Sequence, residues 1–270
     1  LCTIEDFKDD RENLIFSIDN EEIIKELPQN TKKRVHIYVD TGMNRMGIKI
    51  NRLDSVIQEL KSNHPNIEIE GLYTHLHKCK DVRYTVSQVG RFKKVAEKYK
   101  EEIPFIHCLA SSGILDNDIR KAADFTTAAR GGNIIYGYAG YNRGIKKTFT
   151  YYAVPVNVCK VAKGEQVGYG GLFTAKCDMT VGVLACGNVH GMGITRETKN
   201  NPIYDMFKIL YRSIKKRYVI FNGGRPVEIL GKPNMNVTLI NMTGLDKYAK
   251  LKIDLSPVIS ESSVEKVYIE

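Results

Sequence analysis

The run Val35-His36-Ile37-Tyr38-Val39-Asp40-Thr41-Gly42-Met43-Asn44-Arg45-Met46-Gly47 decides the fold. Val35 to Val39 reads as a short strand that stops at a carboxylate and a glycine turn. The helix LDSVIQELKSN follows, with Leu53, Ile57 and Leu60 recurring at helical spacing. Outward from this unit the alternation repeats. Leu14 to Ile18 is a strand followed by a helix in NEEIIKEL. Ile67 to Thr74 is another, followed by a helix around SQVGRFKKVAEKYKEE with the stripe Val89, Phe92 and Val95. Ile106 to Leu109 comes next, with a short helix after Ser111-Ser112-Gly113. Phe125 to Ala129 is a fifth strand, ending at Arg130-Gly131-Gly132. Repeated βα units imply a parallel sheet with helices outside.

Polar residues stand at the C-terminal ends of these strands: Asp40, His75, Ser111 and Arg130. That distribution favours the mouth of a (β/α)8 TIM-type barrel, although the cleft of an open doubly wound sheet shares it. Five units make a partial barrel, and about three more are expected before Leu1, which is not a Met. The chain is thus expected to be N-terminally truncated.

The character changes near residues 141–150. Beyond them come FTYYAVPVNVCKV, MTVGVLA, RYVIFNG, PVEILG, NVTLINM and AKLKIDL, separated by Gly, Asn, Lys and Pro turns. The expected division is a partial barrel domain at 1–147 and an all-β domain at 148–270. A helix-prone insert lies near IYDMFKILYRSIKK.

Composition narrows the function. The 270 residues carry 40 Lys+Arg against 31 Asp+Glu, a net charge of +9, yet the basic residues are spread along the chain without a nucleic-acid motif. Nucleic acid is not an expected partner. No run approaches the roughly 20 apolar residues of a membrane span, and LCTIEDFKDDREN turns charged too soon for a signal peptide. The six cysteines form no C-x-x-C and suit neither zinc nor a disulfide framework. Free thiols in a reducing cytoplasm and no metal site are the expectation.

Five further strings accompany the first. They are Gly71-Leu72-Tyr73-Thr74-His75, the run His107 to Gly113, the run Arg130 to Gly137, Val167-Gly168-Tyr169-Gly170, and Gly231 to Asn236. Each is weak alone. In this order they resemble the alanine racemase family over roughly residues 10–255, and DTGM-x-R-x-G is the most specific of them. The resemblance implies a (β/α)8 barrel followed by a β domain, pyridoxal 5'-phosphate as cofactor, and a homodimer whose active sites are shared between subunits. It implies an isomerase that interconverts L- and D-alanine through a cofactor aldimine by two bases.

The roles carried over are specific. Tyr169 matches the tyrosine base; a phenol with an ordinary pKa near 10 needs cationic neighbours for that task. Arg45 matches the arginine that bonds this tyrosine and the substrate carboxylate. Met235 matches the methionine whose backbone N–H holds that carboxylate from the other subunit. His75 matches the histidine against the pyridine ring, and Arg130 the arginine facing its nitrogen. An always-cationic donor there keeps the nitrogen unprotonated and disfavours transamination. Ser111, with the N–H groups of Gly132 and Asn133, matches the phosphate cradle, chemistry that suits an anion at a helix start. Individually these residues read as a packed strand tyrosine, a core methionine, a polar strand end and a Ser-Gly turn.

The chain also departs from the family. The lysine that carries the cofactor belongs on the first barrel strand, and no lysine before Val35 sits in its motif. These 270 residues alone are expected to be inactive. Asn236 stands where Asp is usual, Cys186 to Gly191 replaces G-Y-A-D-G, and Tyr38 takes a position often held by a carbamylated lysine that orients the arginine. Arg45 must therefore be held another way, and the site entrance at Asn188, His190 and Asn236 is altered. Serine or another small amino acid is an alternative substrate. A non-catalytic cofactor-binding relative and a fold-related amino-acid decarboxylase are alternative functions.

Overall fold

A computed structural model describes residues 2–137, 144–194, 202–214, 218–256, 265, 267 and 268. They fall into two compact units, Leu1–Ile145 and Lys146–Glu270.

The first unit is built of βα repeats. In order these are β1 (Ile15–Ile18), α1 (Glu21–Glu26), β2 (Arg34–Asp40), β3 (Ile48–Lys49), α2 (Leu53–Asn63), β4 (Glu68–Tyr73), α3 (Val82–Ala96), β5 (Phe105–Ala110), α4 (Ser111–Leu115), α5 (Asn117–Ala122) and β6 (Ala128–Arg130). Every pairing is parallel, in the order β1-β2-β4-β5-β6, with β3 against the end of β2. This is the partial barrel, followed by a β-rich second unit.

Strand β2 shows why the sheet is covered. Val35, Ile37 and Val39 are fully buried on one face, where the helices pack, while Tyr38 and Asp40 are buried on the other. Helix α2 turns Leu53, Val56, Ile57 and Leu60 into that core, the i, i+3, i+4, i+7 stripe of an amphipathic helix.

Two elements of the first unit differ from the sequence reading. Helix α3 begins at Val82, five residues before Ser87, because the Asp81 carboxylate accepts from the Tyr84 N–H at 3.1 Å and caps it. It ends at Ala96. The strand expected at Phe125 to Ala129 is confined to Ala128–Arg130. Just before it, the Thr127 N–H still donates to the Ile106 carbonyl, but the Thr127 hydroxyl accepts from Ile106 N–H and donates to the Pro104 carbonyl, both at 2.8 Å, so side-chain bonds interrupt the ladder.

The second unit contains β7 (Tyr151–Ala153), β8 (Asn157–Val161), β9 (Gln166–Val167), β10 (Phe173–Thr174), β11 (Met179–Leu184), α6 (Pro202–Ile214), β12 (Ile220–Asn222), β13 (Arg225–Pro226), β14 (Thr238–Asn241) and β15 (Leu251–Ile253). The sheets are antiparallel: β14-β11-β8, β13-β12-β15-β7 and the pair β10-β9. Leu184, Met192, Ile220, Ile240 and Leu251 share one core. PVEILG forms no continuous strand. Val227 N–H bonds Ile220, whereas Leu230 N–H bonds Leu239 and Asn241 N–H bonds Glu228, so this segment crosses from one sheet to the other. Residues 138–143, where the change of character begins, lie outside the described residues. So do residues 215–217, which end the helix-prone insert and begin RYVIFNG.

Phe92 on α3 is fully buried and its ring lies 5.9 Å from that of Phe125. Phe92→Ala is expected to cost about 3–5 kcal/mol, seen as a lower urea midpoint at unchanged slope. A loss below about 1 kcal/mol would show that α3 does not bear on the core.

Candidate functional site

The ends of the parallel strands carry the polar residues. At the end of β2 the Asp40 carboxylate is buried and organises the loop that holds Arg45. Its Oδ1 accepts from the N–H groups of Gly42 (3.0 Å) and Asn44 (3.1 Å), and its Oδ2 from Lys49 Nζ (2.6 Å). Burial alone would raise this carboxyl, but the bonds from Lys49, Gly42 and Asn44 outweigh it and hold the group below its ordinary value. Asn44 takes the left-handed φ of 53°, a conformation Asn tolerates better than most residues. Arg45 itself is exposed, and its guanidinium lies near enough to the Tyr38 hydroxyl to lower that phenol, against the larger raising by burial.

Tyr38 belongs to an aromatic layer. Its ring stacks on Tyr73 (4.8 Å, 10°), and Tyr73 stacks on His107 (5.1 Å, 5°). The Arg130 guanidinium lies 5.2 Å from the Tyr73 ring centre. Arg130 donates from Nη2 to the Thr74 carbonyl at 2.8 Å, and its Nη1 bonds the Nδ1 of His107. Burial pushes His107 down to about 3, with Arg130 and His36 adding to the effect. His75 is half-buried and also lowered, by burial first and then by the cations Arg130 and Arg45.

Ser111 opens α4 and is buried. Its Oγ accepts from the N–H groups of Gly132 (3.1 Å) and Ile134 (3.2 Å). Two backbone donors therefore converge on the Ser111 hydroxyl oxygen itself, which gathers N–H groups and a hydroxyl at one point of the strand-end loops. Helix α4 spans only five residues, so these donors, not a macrodipole, make the cradle. The sequence reading named Gly132 and Asn133; Ile134 supplies the second bond seen, and the Asn133 Oδ1 is buried without a hydrogen-bond partner among the described residues.

Arg45, His75, Ser111, Arg130, Gly132 and Asn133 thus belong to the first unit, whereas Tyr169 and Met235 belong to the second. Tyr169 is 84% exposed and follows Gly168, whose φ of 79° suits glycine. Met235 is exposed in a loop before β14. That loop is pressed against the turn Asn188–His190: Asn188 N–H bonds the Asn234 carbonyl (2.8 Å) and Val189 N–H the Met235 carbonyl (3.1 Å). A Cβ at Gly187 would fall on the carbonyl oxygens of Asn234 and Met235, so only glycine allows this approach. The altered residues Asn188, His190 and Asn236 consequently share one packed loop pair with Met235. Among the described residues, no group of three or more His, Cys, Asp or Glu is placed to hold a metal ion. No described helix is long and apolar enough to cross a membrane.

Two family models match the chain: alanine racemase, N-terminal domain, over residues 3–140, and alanine racemase, C-terminal domain, over residues 148–258. An alanine racemase of Thermodesulfovibrio yellowstonii is 27% identical over 216 residues, covering 79% of this chain and 52% of that protein. The chain therefore spans about half the length of the curated relatives it matches. The fold is similar to that of the Bacillus anthracis alanine racemase solved with bound L-Ala-P, with a TM-score of 0.65 and 19% identity, covering 88% of this chain and 60% of that one. It is also similar to a Bartonella henselae alanine racemase solved with covalently bound pyridoxal phosphate, at a TM-score of 0.60 and 20% identity over 90% of this chain and 65% of that one.

The Asp40 arrangement can be tested by pH. Asp40→Asn keeps an acceptor for Gly42 and Asn44 but loses the ion pair with Lys49, so stability at pH 7 should fall by about 1–3 kcal/mol. Because the folded carboxyl lies below its ordinary 3.8, its contribution is complete above that value and disappears as pH falls through the folded one. Urea midpoints of the two proteins should converge once the pH lies below the folded carboxyl's own lowered pKa. A gap that persists there would place the effect elsewhere.

Proposed function

The chain belongs to the alanine racemase family, and from that premise we propose that it serves the interconversion of L- and D-alanine with pyridoxal phosphate as cofactor. The observation that carries this reading is the cradle, where the N–H groups of Gly132 and Ile134 converge on the buried Ser111 hydroxyl. These are the donor types a phosphate takes when the N–H groups turn from the hydroxyl to it, and Arg130 stands two residues before Gly132 with its guanidinium already fixed by Thr74 and His107. Bound pyridoxal phosphate supplies an electron sink for the charge left when an amino acid loses its α-proton.

The chain's own groups divide the remaining work. Ser111, Gly132 and Ile134, with Asn133 beside them, hold the phosphate. Arg130 is a permanent donor that cannot accept, so a ring nitrogen against it stays unprotonated. His75, lowered by burial and by two cations, stays neutral near pH 7 and packs against the ring without adding charge. Arg45 binds the substrate carboxylate, joined by the backbone N–H of Met235. Tyr169 takes or returns the α-proton on one face through its phenolic oxygen.

Tyr169 and Met235 lie in the second unit and the other groups in the first; membership of the family is what supports an isologous homodimer with shared sites. Six free cysteines support a reducing, cytoplasmic setting. The packing of Asn188 and Val189 on the Met235 loop favours one second reading, a serine racemase or one for another small amino acid, since the altered residues meet there.

The intact protein, supplied with cofactor and either alanine enantiomer in heavy water, tests the assignment. Tyr169→Phe should slow α-proton exchange from one enantiomer by about 10²–10⁴-fold and from the other far less. Equal, mild slowing of both would remove Tyr169 as the base. Mixing Tyr169→Phe with Arg130→Ala subunits should restore activity if sites are shared, because one hybrid site carries neither lesion. Serine turnover exceeding that of alanine in a chiral assay would transfer the substrate assignment.

A further inference from the structure

Strand β4 carries two irregularities side by side, and both serve the same side chain. The register with β2 pairs Val35 with Ile69 but His36 with Gly71, leaving Glu70 as the extra residue of a bulge. A bulge re-aims a side chain, and Glu70 is largely buried beside His36. Gly71 has no positive φ; its role is steric. A Cβ there would lie 2.6 Å from the His36 ring. The glycine thus lets His36 reach over β4 to β5, where its Nδ1 lies 3.0 Å from His107 Nε2.

The protons in this line are fixed from one end. Arg130 only donates, so the His107 Nδ1 that it contacts must be bare. Neutral His107 then carries its proton on Nε2 and donates to His36 Nδ1. His36 in turn carries its proton on Nε2, which points toward Glu70 Oε2 at 3.9 Å. Those two atoms, His36 Nε2 and Glu70 Oε2, are buried without a hydrogen-bond partner among the described residues. The other Glu70 oxygen accepts from Arg34 at 3.1 Å, which ties the carboxylate to the sheet.

We propose that Glu70, His36 and His107 are positioning residues: a relay of fixed tautomers, seated by the Glu70 bulge and by Gly71, that holds the Arg130 guanidinium in place. The inference rests on the reading of Arg130 as the residue set against the cofactor ring. If His107 turned its protonated nitrogen to Arg130, two donors would face each other and the guanidinium would be displaced.

Histidine nitrogen NMR on the 270-residue chain, without cofactor, tests the relay directly. His107 and His36 should both be neutral and protonated on Nε2 at pH 6–8, with a scalar coupling across the His107–His36 hydrogen bond. His107 protonated on Nδ1, or cationic at pH 6, would overturn the proposal. Gly71→Ala changes no polar group and should abolish the coupling. His36→Phe, a second variant should the first not fold, removes the acceptor of the His107 Nε2–H and should shift the His107 Nε2 signal. Either folded variant should bind pyridoxal phosphate about tenfold more weakly. A folded variant that keeps both the wild-type His107 signature and the wild-type affinity overturns the relay. If the wild-type tautomers are as stated but the intact protein binds no pyridoxal phosphate, the functional reading fails and the relay stands.

Discussion

A guanidinium that a fold half-buries must find acceptors, and Arg130 finds them without any carboxylate among its described contacts. It has the Thr74 carbonyl, a ring nitrogen of His107 and the face of Tyr73. Burial disfavours its charged form, and the guanidinium's very high intrinsic pKa keeps it charged regardless. Much of the surrounding chemistry follows from that retained charge. It pushes His107 down after burial has done so, lowers His75, and dictates which nitrogen of His107 is bare. A carboxylate in the same place would neutralise the cation and cancel its effect on its neighbours. Neutral acceptors orient it and leave the charge available.

Glycine contributes to both units by absence of bulk. Gly71 leaves room for an imidazole to cross a strand, and Gly187 leaves room for one loop to lie on the carbonyls of another. In neither case is backbone freedom the reason. Both are close approaches, where a single methyl group would displace a functional side chain or loop by the width of that methyl. Substitution at either position should therefore be read as a change in the site's geometry before it is read as a change in stability.

The fold was legible because hydrophobic periodicity and strand-end polarity agreed. VHIYVD gave the buried strand and LDSVIQELKSN gave a helix with its limits, since burial there follows the sequence stripe closely. Helix α3 was placed late because its first turn is polar, and the cap Asp81 was the signal that locates it. PVEILG has the composition of a strand, but a segment that shares its hydrogen bonds between two sheets cannot be distinguished from one by composition. Around the site, the motifs located Ser111, Gly132 and Arg130, whereas Ile134 acts through a backbone N–H that no side chain announces. His36 and Glu70 are hidden for a different reason. The alternation of His36, Tyr38 and Asp40 against Val35, Ile37 and Val39 marks a polar inner face, but the bulge that aligns Glu70 with it is a property of pairing, not of residue type.

Tyr38 links the surroundings of two site arginines of the first unit, Arg45 and Arg130. The loop that carries Arg45 is fixed by Asp40 and Lys49, and the Arg45 charge is felt at the Tyr38 hydroxyl. Burial raises the Tyr38 phenol, an effect larger than the lowering by Arg45, so the group stays neutral. A neutral phenol sets no compensating negative charge near Arg45, and its own proton turns to the Met43 sulfur at 3.8 Å. Arg45 therefore keeps its full charge for an anionic partner, as Arg130 does. The ring of Tyr38 stacks on Tyr73, and Tyr73 stacks on the histidine that fixes Arg130. Displacing any ring of this layer changes the support beneath both cations at once, so the departure at position 38 and the relay through His107 belong to one arrangement.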